Sequence, residues 1–160
     1  MNTVPMIVRG KSAEQVNDGP QSAITLFLDD PDTAGSVTVN RSFLGAGSAG
    51  APAHEHRHAS ETIFVIDGFL RVLLERDVHT LTAGDLVHFP PGTTHAFAPP
   101  TGRSADLIAF FTPGQERFAY YRMLEQLHDG EITLSQLQAT SDRFDNHYVT
   151  SPNWQTRLPQ

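Results

Sequence analysis

The feature that most constrains the fold is a series of short strand-like segments, separated by turn residues, over the first 112 positions of the chain. Apolar and polar residues alternate in residues 24–28 and 37–43, which is the pattern of half-buried strands. Further runs rich in β-branched and aromatic residues cover residues 61–66, 69–74, 78–82, 86–89, 95–98 and 106–111. Strands spaced by about 8–12 residues, with turns between them, predict an all-β antiparallel sandwich or barrel.

Two of the connecting segments have distinctive turn chemistry. Asp67 and Gly68 separate two apolar runs, and an Asp-Gly pair in that position predicts a tight hairpin. Residues 44–53 contain three glycines, four alanines and Pro52, so we predict a loop there. We expect its glycines to form a flexible entrance next to the histidine-rich segment that follows.

The last third of the chain changes from strand patterns to helical ones. Thr112 is a candidate N-cap, Pro113 would occupy the first helical position, and apolar residues then recur at helical spacing until Gly130. A second capping-box pattern at residues 133–136 predicts a shorter helix. We therefore predict a β-barrel with N-terminal strands over residues 1–112, and C-terminal helices and a tail over residues 113–160 that pack on it as part of one domain.

Composition excludes several classes of function. The 160 residues include no cysteine, which rules out disulfides, zinc–thiolate sites, iron–sulfur clusters and cysteine nucleophiles. The net charge is −7 without a Lys/Arg cluster, so we expect neither nucleic acid nor a membrane as a partner. The chain has no apolar run long enough to span a bilayer and no basic, apolar start typical of a secretory signal. We expect a cytoplasmic protein.

Eight histidines are many for a chain of 160 residues, and three of them fall in a pattern that indicates a metal site. His54 and His56 are two apart, so in an extended strand their side chains share a face. Glu61 follows at the start of the next apolar run, and His95 closes a second turn-rich element. Three imidazoles and a carboxylate suit a divalent transition metal with positions left open for substrate or O2.

These residues occur at spacings that resemble the cupin superfamily. The first cupin motif is matched by His54, one residue, His56, four residues, Glu61, six residues and Gly68. It departs from the family pattern at Ser48, where a leading glycine is expected. The resemblance implies a cupin double-stranded β-helix, or jelly-roll, barrel with a C-terminal helical appendage.

The second cupin motif is matched by Gly84, Pro90, Gly92 and His95 in register, whereas Pro99 replaces the final asparagine. The asparagine is not a metal ligand, so this departure does not alter the implied metal set. By resemblance, one divalent transition metal per chain would be held by four ligands, namely His54, His56, Glu61 and His95. The resemblance leaves the metal open among nickel, cobalt, manganese and iron.

The chain is also similar to single-domain bacterial cupins of the quercetinase type, including in residues 111–118 and 142–148. That similarity implies an oxidoreductase that cleaves a flavonol such as quercetin, or a related enolisable aromatic, with O2 and releases CO. Glu61 would then be both ligand and general base, accepting the proton of the flavonol 3-hydroxyl. Partners would be a small aromatic substrate and O2.

Two other functions fit the same sequence. A non-oxidative cupin enzyme, such as a polyketide cyclase or an isomerase, would use the metal as a Lewis acid. A non-catalytic small-molecule-binding cupin is the third possibility, and one barrel supports many chemistries. Exposed strand edges favour pairing of two chains, so we expect a homodimer.

The residues expected to contact the substrate are less specific. Aromatic side chains on strands are mostly core, although some should line a pocket for a flat ring. His88 lies in an apolar run and would face either the cavity or the outside. His58 is expected either at the surface or beside the metal ligands, rather than as a ligand itself. We expect the helical Tyr120 and Tyr121 to pack against the barrel rather than form a lid. The predicted substrate residues are His88, Phe64 and Phe97.

Overall fold

The strands of the computed structural model form two sheets that share one long strand. The strands are β1 (Gln15–Val16), β2 (Ser22–Leu28), β3 (Thr38–Leu44), β4 (Ala51–Glu55), β5 (Ser60–Leu74), β6 (Asp77–Thr82), β7 (Leu86–Phe89), β8 (His95–Ala98), β9 (Ala105–Thr112) and β10 (His147–Tyr148). The helices are α1 (Asp30–Thr33), α2 (Phe118–His128), α3 (Leu134–Gln138) and α4 (Ser141–Phe144). The structure describes residues 4–154, so the two ends of the predicted barrel and tail, 1–3 and 155–160, lie outside the described residues.

All strand pairs are antiparallel. One sheet runs β1-β2-β3-β9-β5-β7, and the other runs β6-β5-β8-β4-β10. The first half of β5 pairs with β9 and β7, and its second half pairs with β6 and β8. The prediction of an all-β antiparallel fold is therefore confirmed. The sheets enclose a core of inward-facing apolar side chains that includes Ile63, Val65, Leu107 and Phe111.

The prediction of a hairpin at Asp67 and Gly68 is wrong, because β5 continues through both residues. Gly68 has φ +80°, and the register against β9 shifts between Val65 and Asp67. A Cβ at Gly68 would lie 2.1 Å from the Ser104 carbonyl oxygen, so only glycine permits this close approach. The glycine therefore bends the strand from one sheet into the other instead of reversing it.

The predicted loop over residues 44–53 is too long at its end, because β4 already starts at Ala51. The first predicted helix also begins later than expected. Thr112 is the last residue of β9, and α2 starts at Phe118. The second helix is confirmed. The Thr133 side chain accepts a hydrogen bond from the backbone N–H of Gln136, and the capping box is complete.

The C-terminal helices pack against the edge of the first sheet. Tyr120 and Tyr121 of α2, with Leu137 of α3, form one apolar cluster with Ile24 and Leu26 of β2. The tail then returns to the second sheet, where β10 pairs with β4. The barrel is thus closed on one side by elements that follow it in the chain. Across residues 4–154, no helix is long and apolar enough to cross a membrane.

The outer face of the first sheet has exposed apolar side chains. Leu86 and Ile108 are both direct cross-strand neighbours of Phe64, and Leu86 is 59% exposed. We expect two copies of the chain to pair through this face, since burying an apolar patch is favourable. Light scattering should give twice the mass of one chain, and Leu86→Glu should give a monomer while His79→Glu leaves the dimer intact. A monomeric parent at micromolar concentration would contradict the prediction.

Candidate functional site

The structure brings four titratable side chains together inside the barrel. His54 ends up opposite His95 because β4 pairs with β8, while Glu61 projects inward from β5 and His56 lies just beyond β4. The four residues are 1–5% exposed, and their candidate ligand atoms all lie within 4.8 Å of one another. Four buried residues, three histidines and one glutamate, could therefore hold a metal ion.

Each imidazole is oriented by a backbone carbonyl. The Nδ1 atoms of His54, His56 and His95 lie 2.7, 2.6 and 2.8 Å from the carbonyl oxygens of Pro52, Asp145 and Thr93. A carbonyl only accepts, so each Nδ1 carries the proton and donates it. Each neutral imidazole therefore presents the lone pair of Nε2 to the centre of the cluster.

With neutral imidazoles this arrangement is repulsive unless a cation lies at the centre. The Nε2 atoms of His56 and His95 lie 3.1 and 2.9 Å from Oε2 of Glu61, so lone pairs face a carboxylate oxygen. Protonating His56 would relieve part of the repulsion, but burial lowers the pKa of His56, as it does that of His54. A metal ion that accepts the lone pairs is the alternative, and this donor set suits a divalent transition metal. The residues present thus fit the metal that the sequence predicts.

Glu61 is ionised in this site. Burial alone would raise the pKa of its carboxyl, but hydrogen bonds from His56 and His95, when their Nε2 atoms carry a proton, outweigh burial and hold the pKa well below its ordinary value. The group is therefore available as a carboxylate ligand and as a proton acceptor.

The buried imidazoles predict that the metal-free protein loses stability in acid. The folded-state pKa of His54 and His56 lies below the ordinary value, so the unfolded chain binds more protons once the pH falls below about 6.5. Stability is thus complete above that pH and decreases towards the folded-state pKa. Calorimetric melting with a chelator, from pH 7 to 5, should show a falling Tm. The slope should flatten in His54→Gln but not in the exposed control His79→Gln, and an unchanged slope in His54→Gln would contradict the assignment.

A cavity of about 310 Å³ reaches the cluster from one side. Glu61 and His54 form part of its wall, whereas most of the remaining wall is apolar, with Leu44, Phe97 and Leu107 among the lining residues. That volume lies at the lower end of the range for small-molecule sites. Burial raises the pKa of Tyr121, which also lines the cavity, to about 12, so its hydroxyl stays protonated and donates to Oδ1 of Asn40.

The predicted substrate residues divide in two. Phe97 lines the cavity, whereas the predictions for Phe64 and His88 are wrong. Inward positions on β5 alternate from Glu61, so Phe64 points outwards and is 37% exposed. His88 is paired with Thr62 on the outer face, with its Nδ1 2.8 Å from the Thr62 hydroxyl. His58 is exposed, as expected.

The sequence analysis did not identify three residues of the site, all C-terminal to the barrel strands. Arg117 and Asn146 line the cavity, and Asp145 contacts the ligand-bearing segment. The available signal was the similarity of residues 111–118 and 142–148 to quercetinase-type cupins. No local pattern connects those two segments with the histidines.

Asp145 clamps the turn between the first two metal ligands and Glu61. Its carboxylate accepts the backbone N–H groups of Arg57, His58 and Ala59 at 2.7, 2.9 and 3.1 Å. Burial would raise the pKa of this carboxyl, but the three N–H donors outweigh it and lower the pKa. The backbone carbonyl of Asp145 accepts a hydrogen bond from Nδ1 of His56. One tail residue therefore fixes both the turn and a ligand.

We expect Asp145→Ala to lower metal affinity by about 10–100-fold, as removal of outer partners of metal ligands does. The three N–H groups would lose their acceptor, which costs about 1–3 kcal/mol for each buried group left unsatisfied. Asp145→Asn keeps one acceptor oxygen and tolerates the positive φ of this position, so its effect should be smaller. Competition with a chelating dye measures the affinity. Asp142→Ala, at a 97% exposed carboxylate, is the matched control, and equal affinities in all variants would contradict the clamp.

Comparison with known proteins supports the cupin assignment. Residues 42–111, which contain all four candidate ligands, match the family model of the cupin domain. A quercetin 2,3-dioxygenase of Bacillus subtilis (strain 168) is 27% identical over 117 residues, which are 73% of this chain and 34% of that protein. The chain thus spans about a third of the length of this curated relative. Both matches support the cupin superfamily.

Solved structures show the fold itself. An RmlC-like cupin from Shewanella frigidimarina NCIMB 400 is 24% identical, with a TM-score of 0.62 over 74% of this chain and 99% of that one. The polyketide cyclase RemF from Streptomyces resistomycificus is 15% identical, with a TM-score of 0.58 over 76% of this chain and 96% of that one. The fold is the cupin β-barrel with small C-terminal helices, as the sequence predicts.

Proposed function

We propose that the protein is a metal-dependent dioxygenase of the quercetinase type, which cleaves a flavonol or a related enolisable aromatic with O2. The observation that supports this proposal most directly is the double position of Glu61. Its Oε2 faces two imidazoles of the metal set, and the same residue forms part of the wall of a mostly apolar cavity. A substrate hydroxyl in the cavity would therefore meet a carboxylate that belongs to the metal site.

In this proposal, Glu61 transfers the proton and apolar residues of the cavity bind the substrate ring. Glu61 is ionised and accepts the proton of the enolic hydroxyl, which converts the substrate into its electron-rich anion. When bound, the divalent ion supplies Lewis acidity and an open position for the substrate oxygen. Phe97, Leu44 and Leu107 hold a flat ring and exclude water from the anion.

A non-oxidative cyclase or isomerase would use the same proton transfer without O2. The metal set and the cavity suit this chemistry equally, and the fold is shared with a polyketide cyclase. Oxygen consumption is therefore the measurement that separates the two proposals.

The test uses protein loaded separately with nickel, cobalt, manganese and iron, with quercetin as the substrate. We expect loss of the long-wavelength flavonol absorption together with consumption of O2 and release of CO. The matched flavone without the 3-hydroxyl should be inert, because it has no proton for Glu61 to accept. Binding of quercetin without O2 consumption by any metal form would refute the dioxygenase and leave the non-oxidative enzyme as the leading proposal.

A further inference from the structure

Arg117 is a buried cation whose hydrogen-bond partners are uncharged. The residue is 3% exposed, and its Nη1 and Nη2 donate to the Phe144 carbonyl at 3.0 Å and to Oδ1 of Asn146 at 3.3 Å. Within residues 4–154, no carboxylate oxygen lies within 4.0 Å of the guanidinium. Neutral acceptors satisfy donors without cancelling the charge, so this cation is buried without a direct counter-ion.

Aromatic rings around the guanidinium offset part of the cost of this burial. Its central carbon lies 4.6 Å from the ring centroids of Phe111 and Tyr120 and 5.3 Å from that of Tyr121. Aromatic faces attract a cation, but they replace water only in part. A buried cation of this kind is stabilised further when an anion binds beside it.

One N–H donor of Arg117 and one of Asn146 also lack hydrogen-bond partners. Nε of Arg117 and Nδ2 of Asn146 are buried without a hydrogen bond in the structure described here. Buried N–H groups are nearly always paired, so an unpaired couple on neighbouring residues indicates an acceptor supplied from elsewhere. Both residues line the cavity that also contains Glu61, so a ligand in that cavity could supply the missing acceptor.

The charges around the cavity favour an anionic ligand. A divalent ion held by the four candidate ligands would leave one positive charge there after Glu61 is counted, and Arg117 adds a second. One ionised enol oxygen at the metal set would balance only one of them. A second anionic oxygen on the same molecule would balance the other in a low-dielectric site, where such pairing is strong.

We propose that Arg117 and Asn146 form an anion subsite, so that the substrate is an aromatic with a carboxylate or an ionised phenol in addition to the hydroxyl that meets Glu61. The inference rests on the proposed function only in placing the substrate in this cavity, and it requires no particular reaction. It favours an aromatic acid over a neutral flavonol as the physiological substrate.

The test compares 2-naphthoate with its uncharged analogue 2-naphthamide by titration calorimetry, on the full-length protein in zinc-loaded and metal-free forms. Hydrogen bonds to a charged group should make the carboxylate bind about 10–100-fold more tightly than the amide in the zinc-loaded form. Part of this preference should remain in the metal-free form, because Arg117 does not depend on the metal.

Two variants assign the preference to the subsite. Asn146→Asp places a carboxylate beside Arg117 with almost no change in shape, so it should remove the preference while keeping amide binding and Tm. Arg117→Met should also remove it, with a loss of Tm because the bonds to the tail are lost. Asn153→Asp, an exposed position with the same change of charge, is the control and should keep the preference.

Three results would overturn the proposal. The first is equal affinity of the zinc-loaded parent for 2-naphthoate and 2-naphthamide. The second is a preference for the carboxylate that disappears when zinc is removed, and the third is such a preference that persists in Asn146→Asp. A purely structural Arg117 would lower Tm on substitution and leave the preference unchanged. Because the readout is binding, a protein that shows the preference but consumes no O2 would keep this inference and refute only the dioxygenase.

Discussion

His56→Ala and His95→Ala should each lose most of the single divalent ion that the parent chain takes up. Each substitution removes one of four converging donors and leaves the Glu61 carboxylate with one imidazole fewer beside it. Loss of one ligand weakens binding strongly, because a water molecule that takes its place is a poorer and less preorganised donor than the imidazole. Metal analysis by mass spectrometry, on protein grown with nickel, cobalt, manganese or iron, gives the stoichiometry.

The controls for this experiment are two exposed histidines of the same barrel. His58→Ala and His88→Ala lie outside the cluster and should keep the parental metal content. Melting curves of all four variants separate loss of metal from loss of fold. If the two cluster variants hold metal like the parent while remaining folded, the ligand assignment is wrong.

Glu61→Gln should lower turnover by about 10²–10⁴-fold, the usual contribution of a general base, while metal content falls only moderately. The amide keeps the shape and one oxygen ligand but has neither the negative charge nor the basicity of the carboxylate. Turnover is measured with the substrate identified in the quercetin assay, on variant and parent loaded with the same metal. Rates are normalised to bound metal, so that the loss reports the base and not the occupancy.

Glu55→Gln is the matched control for this prediction. Glu55 lies on β4 beside His54, but its carboxylate contacts Arg57 outside the cluster. Its neutralisation should therefore leave turnover unchanged. A Glu61→Gln variant that holds metal and turns over at nearly the parental rate would show that the carboxylate is structural. The base would then have to be another group of the cavity wall.

The predictions from sequence succeeded where the signal was local. Alternation along single strands predicted β2 and β3, an apolar run predicted β9, and the capping box at Thr133 predicted α3. They failed at Gly68, because a glycine with positive φ bends a continuous strand as readily as it closes a hairpin. Which of the two occurs depends on the strands available for pairing, and these are distant in the chain.

Inward and outward positions were predicted unevenly for the same reason. The face of Phe64 follows from the alternation that places Glu61 inwards, so the sequence contained enough information to exclude it from the cavity. His88 could be oriented only through its partner strand, since its register against Thr62 is set by the β5–β7 pairing. Phe97 reaches the cavity because β8 lies beside β4.

The sequence alone determined the types and spacing of the four candidate ligands, because they lie in two short sequence motifs whose turns and strands are encoded locally. Only the tertiary structure decided how those ligands are held and what else faces the substrate. Asp145 meets His56 across 89 positions of the chain, and Arg117 meets Asn146 across 29. Such contacts follow from the return of the tail across the barrel, where burial and hydrogen bonding between distant segments, rather than local periodicity, set the geometry.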